Sequence, residues 1–600
     1  MKKLLTLVAA ALSSLAMMAQ GWPADYKGVM LQGFAWDSYA ETQWPVLEEQ
    51  ADEISEFFNL IWIPNSAYAG SMSMNMGYHP IYWFKQDCAF GTEAQLRSMI
   101  KTYKAKNVGF IADVVINHRN GVGVDGSWVD FPAETYKGKT YQLGLADICA
   151  NDECAKNGYK PTGANDTGEA WDGARDLDHT SAHVQENVNA YLDFLKNDIG
   201  YEGFRYDFVK GYASKYNGMY NAEAKIDYSV GEYWDGNVSL VKNWINGTKV
   251  DGVIQSAAFD FPLKYYINDA IGRGQWSRLD GSSLASDATY KRYSVTFVGN
   301  HDTYREDNNQ CPANLEAANA YILMMPGTPC VFLNHWKAYK TAIKKMILIR
   351  RIAGISNMSL IAGKKSYTGG YHVKVKGANG SVMCLLGETP GIVLDGFKLA
   401  LEGSNYKIYV EEKLDISSLD NVKEEEKEKF VMPECCTAEE GKMYAFFEVP
   451  SYWDTTNGIY CWCWNNSKNF TGGSWPGVKC EKVGETAKGN QIWKWVGPAS
   501  SEGTPTGIIF SVKGTPQTSD MDYHVGGYYD NVTGFLGDMS TSGISGIIAD
   551  APLGNAPVKV FAITGTELRR CAAGTTIADA VKGLPNGMYI VGNRKIIVNQ

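Results

Sequence analysis

Short apolar, β-rich runs alternate with helical stretches from residue 28 to residue 334, and this alternation constrains the fold more than any other feature. Amphipathic stretches such as 93–106 and 183–198 lie between the runs and predict crossover helices. Eight strands, each followed by a crossover, predict fold class α/β with a (β/α)8 TIM barrel. The eight runs are 28–34, 60–64, 109–115, 203–208, 226–234, 251–261, 294–302 and 328–334.

The rest of the chain predicts further modules around this barrel. The polar, Gly- and Asp-rich gap after the third run is too long for one crossover, so we expect an inserted domain B within the barrel. Runs such as SYTGGYHVKVK (366–376) and SVMCLLG (381–387) predict an all-β domain after it. We expect a catalytic barrel at 21–350 with its insert at about 119–178, a β-rich domain C at 351–412, a charged linker at 413–440, a β-sandwich module at 441–540 and a β-rich segment at 541–600.

The N-terminal segment is typical of a secretory signal peptide at 1–20. Lys2 and Lys3 precede an apolar run from Leu4 to Met18, and this run is shorter than the roughly 20 apolar residues that span a membrane. No later segment reaches that length, so we expect an exported protein, secreted or on the cell surface, without a transmembrane segment. Export permits disulfides, and the spacing allows Cys149/Cys154 or Cys461/Cys480 to pair.

Charge and composition argue against one class of partner and two classes of protein. The chain has 56 basic and 66 acidic residues, and its net charge of −10 argues against nucleic acid as a partner. Aromatic residues make up 12% of the chain, which is too many for a disordered protein. Twelve Cys in 600 residues are too sparse for a disulfide scaffold.

Four carboxylates stand at or just past the C-terminal ends of predicted strands three, four, five and seven. The active sites of barrel enzymes form on that face, and a charged residue there is costly to bury unless it has a partner. Such a cluster serves either metal binding or glycoside cleavage, in which one carboxylate attacks and another protonates the leaving oxygen. The carboxylates are Asp113, Asp207, Glu232 and Asp302, and the accompanying cationic or ring side chains are Arg205, His118 and His301.

Strand spacing favours one pair among these carboxylates. A retaining glycosidase needs two carboxyl groups about 5–5.5 Å apart, and adjacent strands lie about 4.8 Å apart. Asp207 and Glu232 follow adjacent predicted strands and fit that separation. Arg205 points the same way as Asp207, so its charge is expected to keep Asp207 ionised, whereas Glu232 needs a raised pKa to act as the acid.

Four segments around these residues resemble the signature regions of the α-amylase family, glycoside hydrolase family 13. They are DVVINH (113–118), GFRYDFVKG (203–211), GEYW (231–234) and FVGNHD (297–302). The resemblance covers roughly 22–412 and is closest to the plant-like α-amylases. It implies an endo-acting, retaining hydrolase of α-1,4 bonds in starch or a related α-glucan. An α-glucan transglycosylase of the same family and a non-catalytic starch-binding surface protein are the alternatives.

The resemblance also implies roles for single residues. Asp207 corresponds to the nucleophile, Glu232 to the general acid/base and Asp302 to the third carboxylate, which holds sugar hydroxyls. The implied substrate-binding residues are Tyr78, Asp113, His118, Arg205, Lys210 and His301. The family's calcium ion (Ca2+) implies ligands at Asn117, Asp166 and Asp176 and at the carbonyls of Glu169 and Gly211, all of them hard oxygen donors.

The C-terminal third carries two further resemblances. Six of the 17 Trp lie in residues 441–500, and this region resembles a starch-binding module of carbohydrate-binding family 26, with Tyr460, Trp464 and Trp475 as expected contacts. The segment 541–600 resembles the C-terminal sorting domains of exported Bacteroidetes proteins, which implies an outer-membrane secretion system as a partner. We expect the protein to be a bacterial monomer.

Overall fold

The structure is a computed structural model that describes most of residues 21–598. The predicted signal peptide, 1–20, lies outside the described residues. Within the described part of the chain, no helix is long and apolar enough to cross a membrane. The other undescribed positions are 37, 40, 124–128, 424–429, 451–452, 487–488, 532, 540–556, 563–565, 574, 585–586, 592–593 and 599–600.

The chain divides into two compact units, Met1–Glu425 and Glu426–Gln600. The first unit contains a closed barrel in which each strand pairs in parallel with the next and the eighth pairs with the first. The predicted eight-stranded barrel is thereby confirmed. Its strands are β1 Met30–Gln32, β2 Leu60–Ile63, β3 Gly109–Val114, β4 Gly203–Tyr206, β5 Tyr228–Gly231, β6 Ala257–Phe259, β7 Ser294–Phe297 and β8 Thr328–Phe332.

Helices flank the barrel. Their apolar residues repeat at helical spacing, so each helix has one apolar face that it buries. In Glu93–Lys104, for example, Leu96, Met99, Ile100 and Tyr103 are buried, and Thr92 caps the first turn by accepting from the main-chain N–H of Gln95. The strands are buried on both faces, as expected for a parallel sheet. The helices are Trp44–Glu49, Ala51–Phe57, Glu93–Lys104, Ala182–Asp193, Ser214–Ala224, Val238–Gly247, Phe261–Arg273, Leu315–Met324, Leu333–Ala338 and Lys340–Ala353.

The strand register determines which residues are neighbours at the carboxyl end of the barrel. Val114 on β3 pairs with Tyr206 on β4, and Tyr206 pairs with Gly231 on β5. The residues that directly follow these two later strands are therefore neighbours at the carboxyl end of the sheet. This is the physical reason why Asp207 and Glu232, 25 positions apart in sequence, come together.

A polar insert leaves the barrel after β3 and returns at the helix Ala182–Asp193. At its neck, His118–Arg119 pairs antiparallel with Arg175–Asp176, and farther out Glu134–Tyr136 forms a hairpin with Lys139–Tyr141. Two buried ion pairs hold it: Arg119 Nη2 lies 2.6 Å from Glu134 Oε2, and Arg175 Nη1 lies 2.8 Å from Asp152 Oδ1. Removing one member of such a pair would leave a buried charge without a partner, so both pairs hold the insert in one arrangement.

An antiparallel five-stranded sheet completes the first unit. Two of its strands, Gly370–Lys376 and Ser381–Gly387, correspond to the runs quoted above, and Tyr371 packs edge-on against Tyr321 of a barrel helix. The other strands are Leu360–Ser366, Phe397–Gly403 and Tyr406–Glu411.

The second unit is built from β-strands. Phe447 of a five-stranded sheet stacks on Phe510 of a four-stranded sheet with ring centroids 4.7 Å apart, so these two sheets share one core. A separate four-stranded sheet with its own small core follows. The sandwich strands are Lys442–Glu448, Tyr460–Trp464, Val478–Lys479, Glu481–Glu485, Gln491–Ala499, Gly507–Ser511, Met521–Asp522, Gly527–Asp530 and Gly534–Asp538, and the last sheet has Val558–Ala562, Glu567–Cys571, Gly587–Val591 and Arg594–Val598, beside the helix Ile577–Val581.

The cysteines do not form the pairs that sequence spacing allowed. Cys149, Cys154, Cys461 and Cys480 are free, buried thiols, as are most of the other cysteines. Burial raises the pKa of the Cys154 thiol to about 12, so it stays protonated and behaves as a small apolar side chain.

Candidate active site

Arg205 is the centre around which the carboxylates gather. It is fully buried on β4, directly opposite Asp113 of β3 in the strand register. Its Nη1 donates to Asp113 Oδ1 and to Asp207 Oδ1, both at 2.7 Å, and its Nη2 lies 2.7 Å from Glu232 Oε1. Sequence reasoning predicted the Arg205–Asp207 contact, and the structure adds the other two carboxylates.

Asp207 and Glu232 relate to this guanidinium in different ways. Asp207 accepts a hydrogen bond from it, whereas Glu232 makes an ion pair that lacks hydrogen-bond geometry. Glu232 Oε2 accepts instead from the main-chain N–H of Phe208 at 3.1 Å. Both carboxylates therefore contact one small planar group, which is compatible with the roughly 5–5.5 Å that retention requires.

Burial favours the protonated, neutral form of the Glu232 carboxyl, which is the form that a general acid requires. Burial raises the pKa of the Glu232 carboxyl to about 8; Arg205 opposes this rise, and the nearby charges of Asp207 and Asp302 add to it. Burial also raises the pKa of Asp302 to about 6. One cation cannot neutralise four carboxylates at once, so the group with the least favourable ionised form remains protonated.

Asp302 lies just beyond β7, next to the buried ring of His301. His301 Nε2 lies 3.1 Å from Asp302 Oδ2. Burial, together with Arg205 and Arg305, holds the pKa of His301 well below its usual value, so the imidazole is neutral. Its Nδ1 lies 3.0 Å from Gln32 Nε2, and a donation from Gln32 places the ring hydrogen on Nε2.

Tyr78 links His301 to Asp113. Its hydroxyl lies 2.7 Å from His301 Nε2 and donates to Asp113 Oδ2 at 3.0 Å, and Trp62 Nε1 donates to the same oxygen at 3.1 Å. Asp113 is expected from the sequence to bind substrate, and in the structure both of its carboxylate oxygens accept hydrogen bonds from protein side chains. Sequence reasoning missed Gln32 and Trp62, because inside β1 and β2 they look like ordinary strand residues.

His118 and Lys210, which are expected to bind substrate, contact other protein groups in the structure. His118 Nε2 lies 2.8 Å from the carbonyl oxygen of Tyr78, and its Nδ1 lies 3.3 Å from Asn117 Nδ2. Lys210 Nζ lies 3.3 Å from Glu169 Oε1 and 3.1 Å from Asp235 Oδ2. Lys210 therefore bridges the insert and the loop after β5, on the same side of the barrel as the carboxylates.

An aromatic surface adjoins the carboxylates. The rings of Trp36, Tyr78 and His301 lie in nearly parallel planes, with Trp36 6.0 Å from Tyr78 and 6.2 Å from His301 between centroids. The Arg305 guanidinium stacks on Trp36 at 3.8 Å. Flat aromatic faces next to buried carboxylates suit a ligand with apolar C–H faces and many hydroxyls.

The carboxylate cluster is better suited to glycoside cleavage than to metal binding. A guanidinium already stands where a metal ion would neutralise Asp113, Asp207 and Glu232. A glycosidase needs one carboxylate as nucleophile and one neutral carboxylic acid, and the different contacts of Asp207 and Glu232 match those needs.

The residues expected to bind calcium lie together beside this site, at the neck of the insert. Asn117 Nδ2 donates to Asp176 Oδ1 at 3.0 Å, and a Cβ built on Gly211 would lie only 2.0 Å from Asn117 Oδ1. The side-chain oxygen Asp166 Oδ2 is buried without a hydrogen-bond partner, and burial raises the pKa of Asp176 to about 8, with Asp166 adding to the rise.

These oxygens fit a hard cation, since a divalent ion would satisfy Asp166 Oδ2 and offset the cost of ionising Asp176. The main-chain N–H of Glu169 donates to the carbonyl of Lys210 at 2.9 Å, which brings the Glu169 loop against Gly211. The described residues hold no cluster of three or more His, Cys, Asp or Glu side chains placed to bind a metal. The expected set contains only two carboxylates and otherwise uses amide and main-chain oxygens.

Three aromatic residues of the second unit lie on one face of a strand. Tyr460, Trp462 and Trp464 are partly exposed on Tyr460–Trp464, while the intervening Cys461 and Cys463 face the core. Trp475 is 41% exposed and packs edge-on against Trp462, with centroids 6.1 Å apart. Tyr460, Trp464 and Trp475 are the expected contacts, and Trp462 is a further member of this surface that the expectation left out.

Comparisons with known proteins match this chain to one family model and, among other relatives, to three enzymes. Residues 58–335 match the family described as "Alpha amylase, catalytic domain". The chain is 30% identical to probable alpha-amylase 2 of Arabidopsis thaliana over 361 residues, which are 56% of this chain and 83% of that relative. It is 27% identical to chloroplastic alpha-amylase 3 of the same plant over 54% of this chain and 37% of the relative. It is 29% identical to the glucan 1,4-alpha-maltotetraohydrolase of Stutzerimonas stutzeri over 64% of this chain and 73% of the relative.

Proposed function

The chain belongs to the α-amylase family, as a glycoside hydrolase that acts on α-glucans, and from this premise we propose that it cuts internal α-1,4 bonds of starch with retention of configuration. The observation that carries the proposal is the arrangement of Asp207 and Glu232 on opposite nitrogens of Arg205. One is a hydrogen-bonded carboxylate, and the other is a buried acid whose pKa is raised to about 8.

The proposed reaction has two steps. Asp207 attacks the anomeric carbon while the bond to the leaving oxygen breaks, and Glu232 gives its proton to that oxygen. A water molecule then attacks the glycosyl-enzyme and gives a proton to Glu232, which releases Asp207. Asp302, His301 and the ring of Tyr78 are proposed to hold the sugar at the cleaved position.

Soluble starch tests this proposal directly. An endo-acting hydrolase releases reducing ends while the iodine stain of the polymer falls early, because internal cuts shorten chains faster than they release small sugars. Transferred or cyclised products with few new reducing ends would favour the transglycosylase alternative. Glucan binding without any new reducing ends would favour the non-catalytic binding protein.

The raised pKa of Glu232 predicts an alkaline limit to activity. Glu232 must be protonated in the free enzyme, so kcat/KM for a soluble maltooligosaccharide is expected to be level just below pH 8 and to fall about tenfold per pH unit above it. The measurement is kcat/KM against pH, with circular dichroism at each pH to show that the fold persists. An alkaline limb centred below pH 6 would contradict the assignment of Glu232 as the acid.

We further propose that one calcium ion is held by Asn117, Asp166, Asp176 and the carbonyls of Glu169 and Gly211. Bound there, the ion would supply positive charge that joins the insert to the barrel. Asp166 and Asp176 would contribute carboxylate oxygens, and Asn117 its amide oxygen. Asn117 directly precedes His118, and His118 contacts the carbonyl oxygen of Tyr78. An ion that fixes Asn117 would therefore also help to position Tyr78.

Removal of calcium should therefore destabilise the first unit. We expect a chelator to lower its thermal midpoint by several degrees, because a ligand that binds only the folded state stabilises it by mass action. The variant Asp166→Asn should have a lower midpoint at the outset and respond less to the chelator. Differential scanning calorimetry with and without added calcium is the measurement. Equal midpoints for the wild-type protein in both conditions would count against the site.

The remaining proposals concern the ends of the chain and its second unit. We propose that Tyr460, Trp462, Trp464 and Trp475 form a starch-binding surface, since partly exposed aromatic rings on one strand face suit stacking on sugars. Export through the segment 1–20 and sorting through 541–600 stay proposals that rest on their sequence patterns. A secreted bacterial monomer is the form in which we propose that the enzyme acts.

A further inference from the structure

The loop between β2 and Tyr78 exposes two methionines. Met72 is 45% exposed and Met74 is 70% exposed, and they are the only methionines among the large hydrophobic side chains that the described residues expose. Large apolar side chains are costly to expose to water, and two of them within three residues mark a binding surface more often than an isolated one does. Nothing in the catalytic arrangement described above uses these two residues.

The loop is built to hold this exposed conformation. Asn75 closes its neck, because its Nδ2 donates to the carbonyl of Ala69 and its Oδ1 accepts from the N–H of Gly77, both at 2.8 Å. Ser71 Oγ donates to the carbonyl of Ser73 at 2.7 Å. Met74 itself has a φ of 52°, in the left-handed region that a non-glycine residue adopts only at a cost. Strain of this kind persists where the surrounding structure imposes it and is concentrated at functional sites.

The loop lies beside the carboxylates. It follows β2, so it belongs to the carboxyl face of the barrel. Met74 is four residues from Tyr78, which places their Cα atoms within about 14 Å of each other. The hydroxyl of Tyr78 contacts both Asp113 and His301. A polymer bound across Tyr78 can thus reach the methionines within a few sugar units.

We propose that Met72 and Met74 form an apolar step that binds an α-glucan chain where it leaves the cleft, so that the enzyme favours long chains over short ones. This inference rests on the proposed function for the identity of the polymer. Methionine side chains are flexible and polarisable and can follow the C–H faces of successive sugars, while Ser71, Ser73 and Asn75 alternate with them and offer hydrogen-bonding groups.

The charge of the loop supports a neutral ligand. From residue 64 to residue 84 the chain contains no Asp, Glu, Lys or Arg. The segment itself offers no ionic group to a charged partner, the next residue being Lys85, whose Nζ lies 4.0 Å from the centroid of the Tyr68 ring, whereas a neutral polysaccharide needs no such group. A second copy of this chain is the other occupant that an uncharged apolar step could take, and the experiment separates the two.

The test compares a long and a short substrate. In Met72→Ser/Met74→Ser, the ratio of kcat/KM for amylose to kcat/KM for maltotriose is expected to fall about tenfold, through KM, because two exposed apolar side chains lose their contact with the glucan chain. Met72→Leu/Met74→Leu keeps the apolar surface and should retain the ratio within about twofold. The control is Leu240→Ser, an equally apolar side chain, 41% exposed on the helix Val238–Gly247. Mild peroxide should lower the ratio in the wild-type enzyme as the serine pair does, since the sulfoxide is polar.

Several outcomes would overturn the inference. An unchanged ratio in the serine pair, or equal losses on both substrates, would remove any role in chain-length preference. A larger oligomer that dissociates in the serine pair, seen by gel filtration, would assign the surface to a second copy instead. If the wild-type enzyme hydrolyses neither substrate, the proposed function fails. In that case, the affinities of the wild-type protein and of the serine pair for amylose, measured by calorimetry, test the inference independently of hydrolysis. Equal affinities would overturn it.

Discussion

Replacing Asp207 with Asn is expected to lower kcat on starch by about 10⁴-fold or more, the largest effect that we predict. The amide keeps the shape of the carboxylate, and its oxygen can still accept from Arg205 Nη1, so the site should stay assembled. An amide is too weak a nucleophile to displace the leaving group, so the first step fails. Release of reducing ends from soluble starch measures the loss.

A second readout separates catalysis from binding in the same variant. Adsorption of Asp207→Asn to granular starch should equal that of the wild-type protein, because the aromatic surface at Tyr460–Trp464 lies in the other compact unit. The matched control is Asp198→Asn, which removes an exposed carboxylate 3.4 Å from Arg97 and should stay within about twofold of the wild-type rate. Retention of a tenth of the activity by Asp207→Asn would exclude it as the nucleophile, and loss of adsorption would refute the modular interpretation.

Replacing Glu232 with Gln is expected to lower kcat on starch by about 10³-fold, for a different reason. The amide cannot protonate the leaving oxygen, although it can still accept from the N–H of Phe208. A substrate such as an α-maltosyl fluoride needs no such proton, so its first step should remain fast and the glycosyl-enzyme should accumulate. Azide, which attacks without help from a base, should then restore turnover.

The pattern across substrates is what identifies the acid. Single-turnover kinetics with the fluoride, with and without azide, measure each step in turn. The alkaline limb near pH 8 that is expected for the maltooligosaccharide should be absent from the fluoride reaction of both the wild-type enzyme and Glu232→Gln, because that first step needs no proton from Glu232. A loss as large on the fluoride as on starch, without rescue by azide, would mean that Glu232 supports the structure of the site rather than proton transfer.

The barrel could be predicted from sequence because its pattern is local. Eight apolar runs separated by amphipathic helices leave few other topologies, and each run contains one observed strand. Carboxylates that end such strands must meet at one face, which is why Asp207, Glu232 and Asp302 could be placed together. The pairing of Tyr206 with Gly231 then explains which two of them become neighbours.

The remaining contacts of the site depend on side-chain geometry that no local pattern encodes. Gln32 and Trp62 have the spacing of core residues, and only their positions inside the closed barrel direct their polar atoms to His301 and Asp113. The sequence likewise suggested Arg205 as a partner of Asp207 through their spacing of two, but its contact with Glu232 crosses to another strand. The motif implies a sugar contact for His118, and the structure adds that its two ring nitrogens lie near Asn117 Nδ2 and the carbonyl oxygen of Tyr78.

The cysteines illustrate the same limit. Spacing made Cys149/Cys154 and Cys461/Cys480 possible disulfides, yet all four thiols are buried and free, even though Cys461 and Cys480 belong to the same core. Whether two thiols meet depends on the separation and direction of their Cβ atoms, and distance along the chain does not report this.

The anomeric configuration of the first products tests the central claim, that Asp207 and Glu232 act as a retaining pair around Arg205. Proton NMR of a maltooligosaccharide digest, recorded before mutarotation, distinguishes the two anomers at the newly formed reducing end. We predict the α-anomer, because two successive displacements restore the starting configuration. The β-anomer would mean a single displacement by water, and it would contradict the assignment of Asp207 as the nucleophile.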